Sequence, residues 1–117
     1  MTIPTDSWTE QLRRGGLELA ILLAVAPGTR YGLEIIRHLQ ALTDLVVTEG
    51  TIYPILGRLA RDGWLESEWQ ASAAHPRKYY RLTAPGRRRL RTMVADWQAF
   101  SAKIDRLVAA ADKGNDA

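Results

Sequence analysis

The sequence predicts a mainly α-helical fold with one small β-hairpin, and three observations support this prediction. Apolar residues recur at helical spacing in three segments of the first half of the chain, at about residues 8–26, 31–42 and 48–63. Two short stretches then alternate between apolar and polar side chains, as paired strands do. A last helical pattern covers about residues 84–111. The predicted order is therefore three helices, a hairpin and a long helix.

The first predicted helix is apolar nearly all round, so we expect it to be buried on several sides. Pro27 and Gly28 end it. Arg13 and Arg14 lie near its start, where positive charge opposes the helix dipole. We therefore expect these two arginines to serve something other than helix stability.

The second predicted helix has Thr29 as its expected N-cap. The third contains Pro54 near its beginning and Gly57 in its interior, and both residues are unfavourable inside a helix. Thr51 as N-cap would place the proline in the first turn, and a distorted first turn that begins at Thr48 is the alternative. Such a conflict with helix propensity is expected where function selected the residue.

The predicted hairpin joins residues 64–69 to residues 78–83 through a loop at residues 70–77. Only these two strands are predicted, and an isolated two-stranded hairpin is marginally stable in water. We therefore expect the helices to pack beneath it.

The last predicted helix has Thr83 as its N-cap, and its apolar residues follow the heptad pattern of a coiled coil. The predicted dimerisation seam consists of Leu90, Met93, Trp97, Phe100, Ile104 and Leu107. Because the helix is too long to pack entirely on the preceding residues 8–83, we expect a second copy of the chain in a two-fold dimer. A helix folded back on its own domain is the alternative. The predicted dimerisation helix spans residues 84–111, and residues 112–117 form a flexible tail.

Charge is distributed unevenly along the chain, although the formal net charge is only +3. No Asp or Glu occurs from Trp69 to Ala95, and seven basic residues fall in that segment. A run of arginines is often no more than a solvated helix face. An acid-free stretch with interleaved tyrosines is more typical of a surface that faces phosphates.

The composition also excludes several classes of function. The absence of cysteine excludes disulfides, zinc–thiolate sites and cysteine nucleophiles. His38 and His75 are the only histidines, and no nucleophile–base pairing or phosphate-cradling glycine motif occurs, so we expect neither an enzyme, nor a metal site, nor a cofactor. No uncharged run is long enough to span a membrane, and the first residues lack the order of a signal peptide. A soluble cytoplasmic protein associated with the nucleoid is expected.

A short connection, residues 43–47, joins the second and third helices as in a helix-turn-helix, and the hairpin follows directly. This order predicts a winged helix-turn-helix, in which the third helix enters the major groove of double-stranded DNA and the hairpin is the wing. The predicted DNA-facing residues are Thr48, Thr51, Tyr53, Arg58 and Arg61 on the third helix, with Arg77 and Lys78 at the wing. Arginine can bond two acceptors on guanine, and cations at a wing can meet phosphates.

Three motifs carry a resemblance to a known family. They are the segments Tyr31–Ile36 (YGLEII), Glu49–Leu56 (EGTIYPIL, then Arg58-Leu59 and Asp62-Gly63) and Arg77–Thr83 (RKYYRLT, followed by Gly86). With these motifs the chain resembles the PadR family of bacterial transcriptional regulators over about residues 12–110. A Tyr-Pro pair inside a recognition helix is unusual, and here it coincides with the wing motif. The single C-terminal helix resembles the short PadR subfamily, whose members dimerise through that helix.

The resemblance implies a homodimeric DNA-binding regulator, usually a repressor, that acts on a pseudo-palindromic operator. The residues that it places at the DNA are Thr48, Thr51, Tyr53, Pro54 and Arg58, with Lys78 from the wing. Tyr53 and Pro54 could instead shape the start of the helix and pack against the second helix. The segment at residues 71–74 lacks the glycines and charges that are commoner at the wing tip in the family. Arg77 and Lys78 are therefore the better candidates for phosphate contact.

The resemblance also directs attention to Trp97, because in some short PadR-like regulators a tryptophan at this place stacks flat aromatic drugs across the dimer interface. Phe100 lies one turn further on, and Trp8 could line the same cavity. No carboxylate follows Trp97 in residues 98–101, which favours a neutral aromatic effector over a cationic one. The alternative is that Trp97 only fills the dimer core.

Two other functions remain open for the same fold. One is a dimer that binds nucleic acid without sequence preference, through its arginines. The other is a protein-interaction adaptor that keeps the fold but does not bind DNA. Specific recognition differs from charge-driven binding by a factor of roughly 10³ or more in affinity at physiological salt.

Overall fold

The computed structural model describes residues 5–71 and 75–115 of the chain. The elements in chain order are α1 (Thr5–Val25), β1 (Arg30–Tyr31), α2 (Gly32–Thr43), α3 (Glu49–Arg61), β2 (Leu65–Ala71), β3 (Pro76–Leu82) and α4 (Ala84–Asn115). The predicted order of three helices, a hairpin and a long helix is confirmed, with one added strand. No helix in the described part of the chain is long and apolar enough to cross a membrane.

The added strand, β1, changes the sheet from two strands to three, in the order β1-β3-β2. Arg30 pairs with Tyr80, and Tyr31 pairs with Tyr79. A strand of two residues offers no alternating pattern, so the sequence could not reveal it. The hairpin itself is longer than predicted, because Ala71 still pairs with Pro76. Of the predicted loop at residues 70–77, residues 72–74 lie outside the described part of the chain.

Strand β1 also corrects the predicted start of the second helix. Thr29 does not cap α2, because the chain is extended through Tyr31, which is the N-cap. The backbone N–H of Tyr31 donates to Oε1 of Glu34 at 3.1 Å. The glutamate therefore satisfies the N-cap backbone, and the cap comes from inside the helix rather than from an upstream threonine.

Helix α3 begins after Thr48, with Pro54 inside the helix, so the second of the two predicted starts is observed. The N–H groups of Thr51 and Ile52 both donate to the carbonyl of Thr48, at 3.1 and 3.0 Å. This tightened first turn corresponds to the distorted first turn that was predicted from the sequence as the alternative. Gly63 follows the helix with a positive φ of 84°, as expected for a glycine stop.

The core lies between the helices and the inner face of the sheet. Its fully buried side chains include Ile21 and Leu22 of α1, Ile35 of α2, and Ile52, Leu56 and Leu59 of α3. The hairpin contributes Leu65, Tyr80 and Leu82 to the same cluster. The helices thus pack beneath the hairpin, as expected.

The junction between the hairpin and α4 is closely fitted. Oγ1 of Thr83 accepts the N–H of Gly86 at 2.9 Å, which confirms Thr83 as the N-cap. A Cβ on Gly86 would collide with the carbonyl of Trp64. Only glycine therefore allows α4 to leave the sheet at this angle.

Helix α4 packs on the domain at its start and protrudes beyond it. Leu90 is only 8% exposed, and Met93 and Val94 are partly buried against the core. The radius of gyration is 17.6 Å, against about 13 Å for a compact chain of this length. The helix reaches Asn115, so most of the predicted flexible tail at residues 112–117 is helical, and residues 116–117 lie outside the described part.

Candidate nucleic-acid interface

Helix α3 turns one face to the core and the opposite face to solvent. Ile52, Leu56 and Leu59 are completely buried, which fixes the rotation of the helix about its axis. The side chains predicted to face DNA from this helix are all exposed, namely Thr48, Thr51, Tyr53, Pro54, Arg58 and Arg61. The face can therefore enter a groove without any rearrangement of the core.

Tyr53 lies at the edge of this face that is nearest to α2. Its ring packs on the backbone of Gly32, where an added Cβ would stand 2.6 Å from the ring carbon Cε1. The side chain nevertheless remains 41% exposed. Partial burial and, to a smaller degree, the negative charge of Glu49 raise the pKa of the Tyr53 hydroxyl. The hydroxyl therefore stays protonated at neutral pH and can donate a hydrogen bond.

The wing holds its two predicted cations against aromatic rings. The guanidinium of Arg77 lies 4.4 Å from the ring centroid of Tyr31, and Nζ of Lys78 lies 5.8 Å from that of Trp69. Tyr31 in turn meets Tyr79 edge to face at 5.4 Å. Stacking limits the freedom of these long side chains, so less entropy is lost when they bind a phosphate.

A cleft of about 390 Å³ separates the wing from α3. It is lined by Tyr31, Gly32, Leu33, Tyr53, Trp69, His75, Pro76, Arg77 and Lys78. The structure thus brings Tyr53 of α3 to the same cleft as both predicted wing cations. Its lining is aromatic and basic, and it includes no carboxylate.

Arg58 lies toward the other edge of α3, beside α1. Its guanidinium pairs with Glu18 at 3.4 Å and with Asp62 at 3.9 Å. The second carboxylate oxygen of Glu18 lies 3.4 Å from Arg89 of α4. Glu18 therefore connects α3 to α4. Sequence reasoning missed this residue, and its only signal was an acid between two apolar residues, Leu17 and Leu19.

Arg61 is the other predicted arginine of α3. Its guanidinium lies along the helix, 3.6 Å from the position that a Cβ on Gly57 would take. Within the described residues it has no ion pair or hydrogen bond, in contrast to Arg58. Arg61 can therefore change its orientation without breaking an ion pair.

Some arginines of the acid-free segment, residues 69–95, are held by side-chain contacts within the described part of the fold, and others are not. Arg81 is paired with Glu66 at 3.0 Å and with Glu68 at 3.4 Å, and these carboxylates raise the pKa of its guanidinium. Arg89 stacks on Trp64 at 4.9 Å. These two arginines are held by the fold itself, so the basic segment is not one uniform surface.

The protruding part of α4 carries four of the predicted dimer residues, Trp97, Phe100, Ile104 and Leu107, whereas Leu90 and Met93 pack against the core of their own chain. Trp97 is 49% exposed and Phe100 61%. Trp97 borders a shallow groove of about 130 Å³ with Gly16, Leu19, Ala20 and Leu23 of α1. Trp8 is exposed on α1 and does not line this groove. In the described part of the chain, no group of three or more acidic, histidine or cysteine side chains is arranged so that it could hold a metal ion.

Comparison with known proteins agrees with the geometry. The family model for the transcriptional regulator PadR-like family matches residues 21–92. A PadR family transcriptional regulator from Eggerthella lenta has a similar structure, with a TM-score of 0.79 and 34% identity, over 88% of this chain and 90% of that one. A PadR-like transcription factor from Bacteroides fragilis gives a TM-score of 0.74 and 36% identity, over 86% and 98% of the two chains.

A sequence relative gives the same picture. An uncharacterised protein from Lysinibacillus sphaericus is 32% identical over 95 residues, which are 79% of this chain and 87% of the relative. The match to the family model covers more than half of the chain, and the solved relatives share its fold over most of its length. The chain therefore belongs to the PadR-like family of transcriptional regulators, which bind DNA.

Proposed function

We propose that this chain is a repressor that binds a pseudo-palindromic operator as a homodimer and responds to a small aromatic effector. The observation that carries the proposal is the exposed face of α3, which is flanked by stacked cations on the wing side. A helix placed in this way can read base edges in the major groove while its flanks bind the backbone.

Base reading is assigned mainly to Arg61, which lies between Tyr53 and Arg58 on the exposed face of α3. Arg61 has no ion pair within the described residues, so it can offer both of its terminal nitrogens to guanine O6 and N7. Tyr53 can donate its hydroxyl to a phosphate or a base edge. Arg58 must first weaken its pair with Glu18, so it contributes less than its position suggests.

Phosphate contact falls to the wing. Arg77 and Lys78 stand on β3 next to the cleft that also holds Tyr53. Because phosphate contacts carry no sequence information, they hold α3 in register rather than select the operator. The acid-free lining of the cleft favours an approach by DNA.

The homodimer is supported by the apolar surface of α4. Phe100, Ile104 and Leu107 are 41% to 65% exposed in the single chain, where nothing of the described domain covers them. A second copy would cover this surface through a two-fold interface. Leu90 is already buried in its own core and Met93 partly so, which puts the centre of the proposed interface at Trp97 and beyond.

The effector site is proposed at Trp97 and Phe100, with Trp8 at its border. In a dimer that pairs through α4, these exposed rings would come close to those of the second copy, so a flat neutral aromatic molecule could stack there. Half-sites lie about 34–36 Å apart on DNA, so a small change in the separation of the two α3 helices would lower operator affinity. The effector acts only through its different affinity for the two arrangements.

No catalytic activity is proposed, because the exposed features of the fold serve binding. Neither a metal nor a cofactor enters the proposal. A regulator that acts in this way works at the nucleoid, in the cytoplasm.

The test is selection of preferred duplexes from a random pool by the full-length protein, followed by footprinting on the DNA next to its own gene. We expect two inverted half-sites related by a two-fold axis. Arg58→Ala and Lys78→Ala should then weaken binding. A pool without any enriched sequence would indicate non-specific binding, and intact function without DNA binding would indicate an adaptor.

The effector proposal has a separate test. Neutral aromatic compounds are titrated while tryptophan fluorescence and operator binding are followed on the same sample. Quenching together with loss of operator affinity is expected. Quenching with unchanged operator affinity would reject the effector role, and Trp97 would then only pack the dimer core.

A further inference from the structure

We propose that Arg14 of α1 is an additional phosphate contact, which extends the DNA interface past α3 on the side opposite the wing. This inference rests on the proposed function. It concerns one of two arginines, Arg13 and Arg14, that the sequence places near the start of a helix. The structure corrects that expectation, because α1 begins at Thr5 and both arginines lie well inside it. The helix dipole acts mainly on the first turn, so it does not bear on either residue, and the two differ in their contacts.

Arg14 continues the buried stripe of α1 toward the N-terminus. Leu17, Ile21 and Val25 are 7%, 0% and 1% exposed, and Arg14 lies three residues before Leu17, on the same side of the helix. It therefore points to the side on which α1 packs, but it lies before Leu17, the first buried residue that the structure describes in this helix. The side chain is exposed there.

At this level α1 and α3 border a second cleft, of about 470 Å³. It is lined by Glu10, Arg13, Arg14, Leu17, Glu18, Thr51, Ile55 and Arg58. Thr51 and Arg58 belong to the exposed face of α3, so the cleft is continuous with the predicted DNA-facing surface. It lies across α3 from the cleft that contains Tyr53 and the wing cations.

The charges in this cleft are not equally available. Glu18 is paired with Arg58 and Arg89, and Nη2 of Arg13 donates to the carbonyl of Val46 at 2.7 Å. Arg13 thereby holds the segment that precedes α3. Arg14, by contrast, has no ion pair or hydrogen bond to any residue that the structure describes. Glu10, one turn earlier, is exposed and forms no ion pair with it in that part of the chain.

An unpaired arginine beside the DNA-facing helix is suited to a phosphate. The guanidinium can bind two phosphate oxygens at once. With Arg77 and Lys78 on the far side, α3 would then lie between two phosphate contacts. Such a pair of contacts fixes the helix in the groove without reading sequence.

The experiment measures binding of full-length Arg14→Ala to two duplexes by fluorescence anisotropy over a series of KCl concentrations. One duplex is the selected operator, and the other has the same composition in scrambled order. We expect the variant to lose about 3- to 10-fold in affinity for both. The slope of log K against log salt should become shallower by about 2, because each dimer loses two contacts worth about 0.9 each.

Arg91→Ala is the matched control, since it removes the same charge from an exposed position on α4. It should leave the salt slope unchanged, whereas Arg14→Lys should largely keep the wild-type slope. Arg14→Gln is measured beside Arg14→Ala, and thermal unfolding shows which variants are folded. An unchanged slope in the folded Arg14 variants, or a loss confined to the operator, would overturn the proposal.

The two proposals fail in different ways. If the wild-type protein selects no sequence, the operator proposal fails, and the salt slope on scrambled DNA still decides the role of Arg14. If the operator is selected and bound but Arg14→Ala behaves like Arg91→Ala, only the role of Arg14 fails.

Discussion

The outward face of α3 and the protruding part of α4 are both exposed, but they differ in chemistry. The face of α3 presents hydroxyls and arginines such as Thr51 and Arg61. The protruding part of α4 presents large apolar side chains such as Phe100 and Leu107, which are 61% and 65% exposed. The first surface is suited to a charged, hydrogen-bonding partner and the second to an apolar one. Exposure alone therefore does not identify a partner, whereas exposure together with side-chain chemistry does.

The largest effect is expected from a substitution in the apolar surface of α4. Ile104→Glu would place a charge in the centre of the proposed interface, and burying an unpaired charge is costly. We expect the dissociation constant of the dimer to rise about 100-fold or more, measured by analytical ultracentrifugation, with a corresponding loss of operator binding. Arg106→Glu, on the opposite side of the helix, should leave the dimer intact. Equal oligomeric states for the wild type and Ile104→Glu would contradict the proposed interface.

The next largest effect is expected on α3. Arg61→Ala should cost about 1–3 kcal/mol in operator affinity and relax the preference at the base pair that it contacts. The measurement is anisotropy with the operator and with single base-pair variants of it. The control is Arg37→Ala on the exposed side of α2. An equal loss on operator and scrambled DNA would assign Arg61 to phosphate contact instead.

A smaller effect is expected where α3 rests on α2. Gly32→Ala would press a Cβ against the Tyr53 ring, so we expect the free energy of unfolding to fall by about 1–2 kcal/mol. Adding a methyl group to a packed site typically costs about 1–3 kcal/mol, and we expect a value in the lower part of this range because the half-exposed ring can move aside. Chemical denaturation measures it, and Gly28→Ala, which meets no atom within 4 Å, is the control. Equal stability of the two variants would show that the ring is not held there.

The smallest effect is expected at the ion pairs between the helices. Glu18→Gln removes the negative charge that holds Arg58 and Arg89, and partly exposed pairs of this kind contribute about 0–1 kcal/mol to stability. Because Arg58 is released and a negative charge is lost near the DNA-facing surface, affinity for DNA should rise about 2- to 5-fold. Glu66→Gln, in the ion pair of the hairpin, serves as the comparison. Lower DNA affinity for Glu18→Gln would mean that Glu18 positions Arg58 for DNA rather than competes for it.

The main elements could be predicted from the sequence because their signals are local. The helical spacing, the glycine stop at Gly63 and the cap at Thr83 each depend on a few neighbouring residues. Strand β1 could not be predicted, since its two residues are extended only because they pair with β3. Because of the same pairing, the N-cap of α2 is Tyr31 and not the predicted Thr29.

The exposure of the candidate residues on α3 was predictable from the sequence, but the contacts that these residues make were not. The α3 candidates are exposed because their spacing opposes that of Ile52, Leu56 and Leu59. The pair between Arg58 and Glu18 joins residues 40 positions apart, so no local pattern could reveal it. The heptad at Leu90 was a valid apolar pattern, but a pattern does not say whether its own domain or a second copy buries the side chain.

The central claim is that this fold reads sequence as a dimer. The measurement that tests it most directly is competition between the selected operator and scrambled DNA for the full-length protein at physiological salt. The account predicts a preference of roughly 10³-fold or more for the operator. A ratio near one, with only a salt-dependent loss of binding to both duplexes, would contradict it.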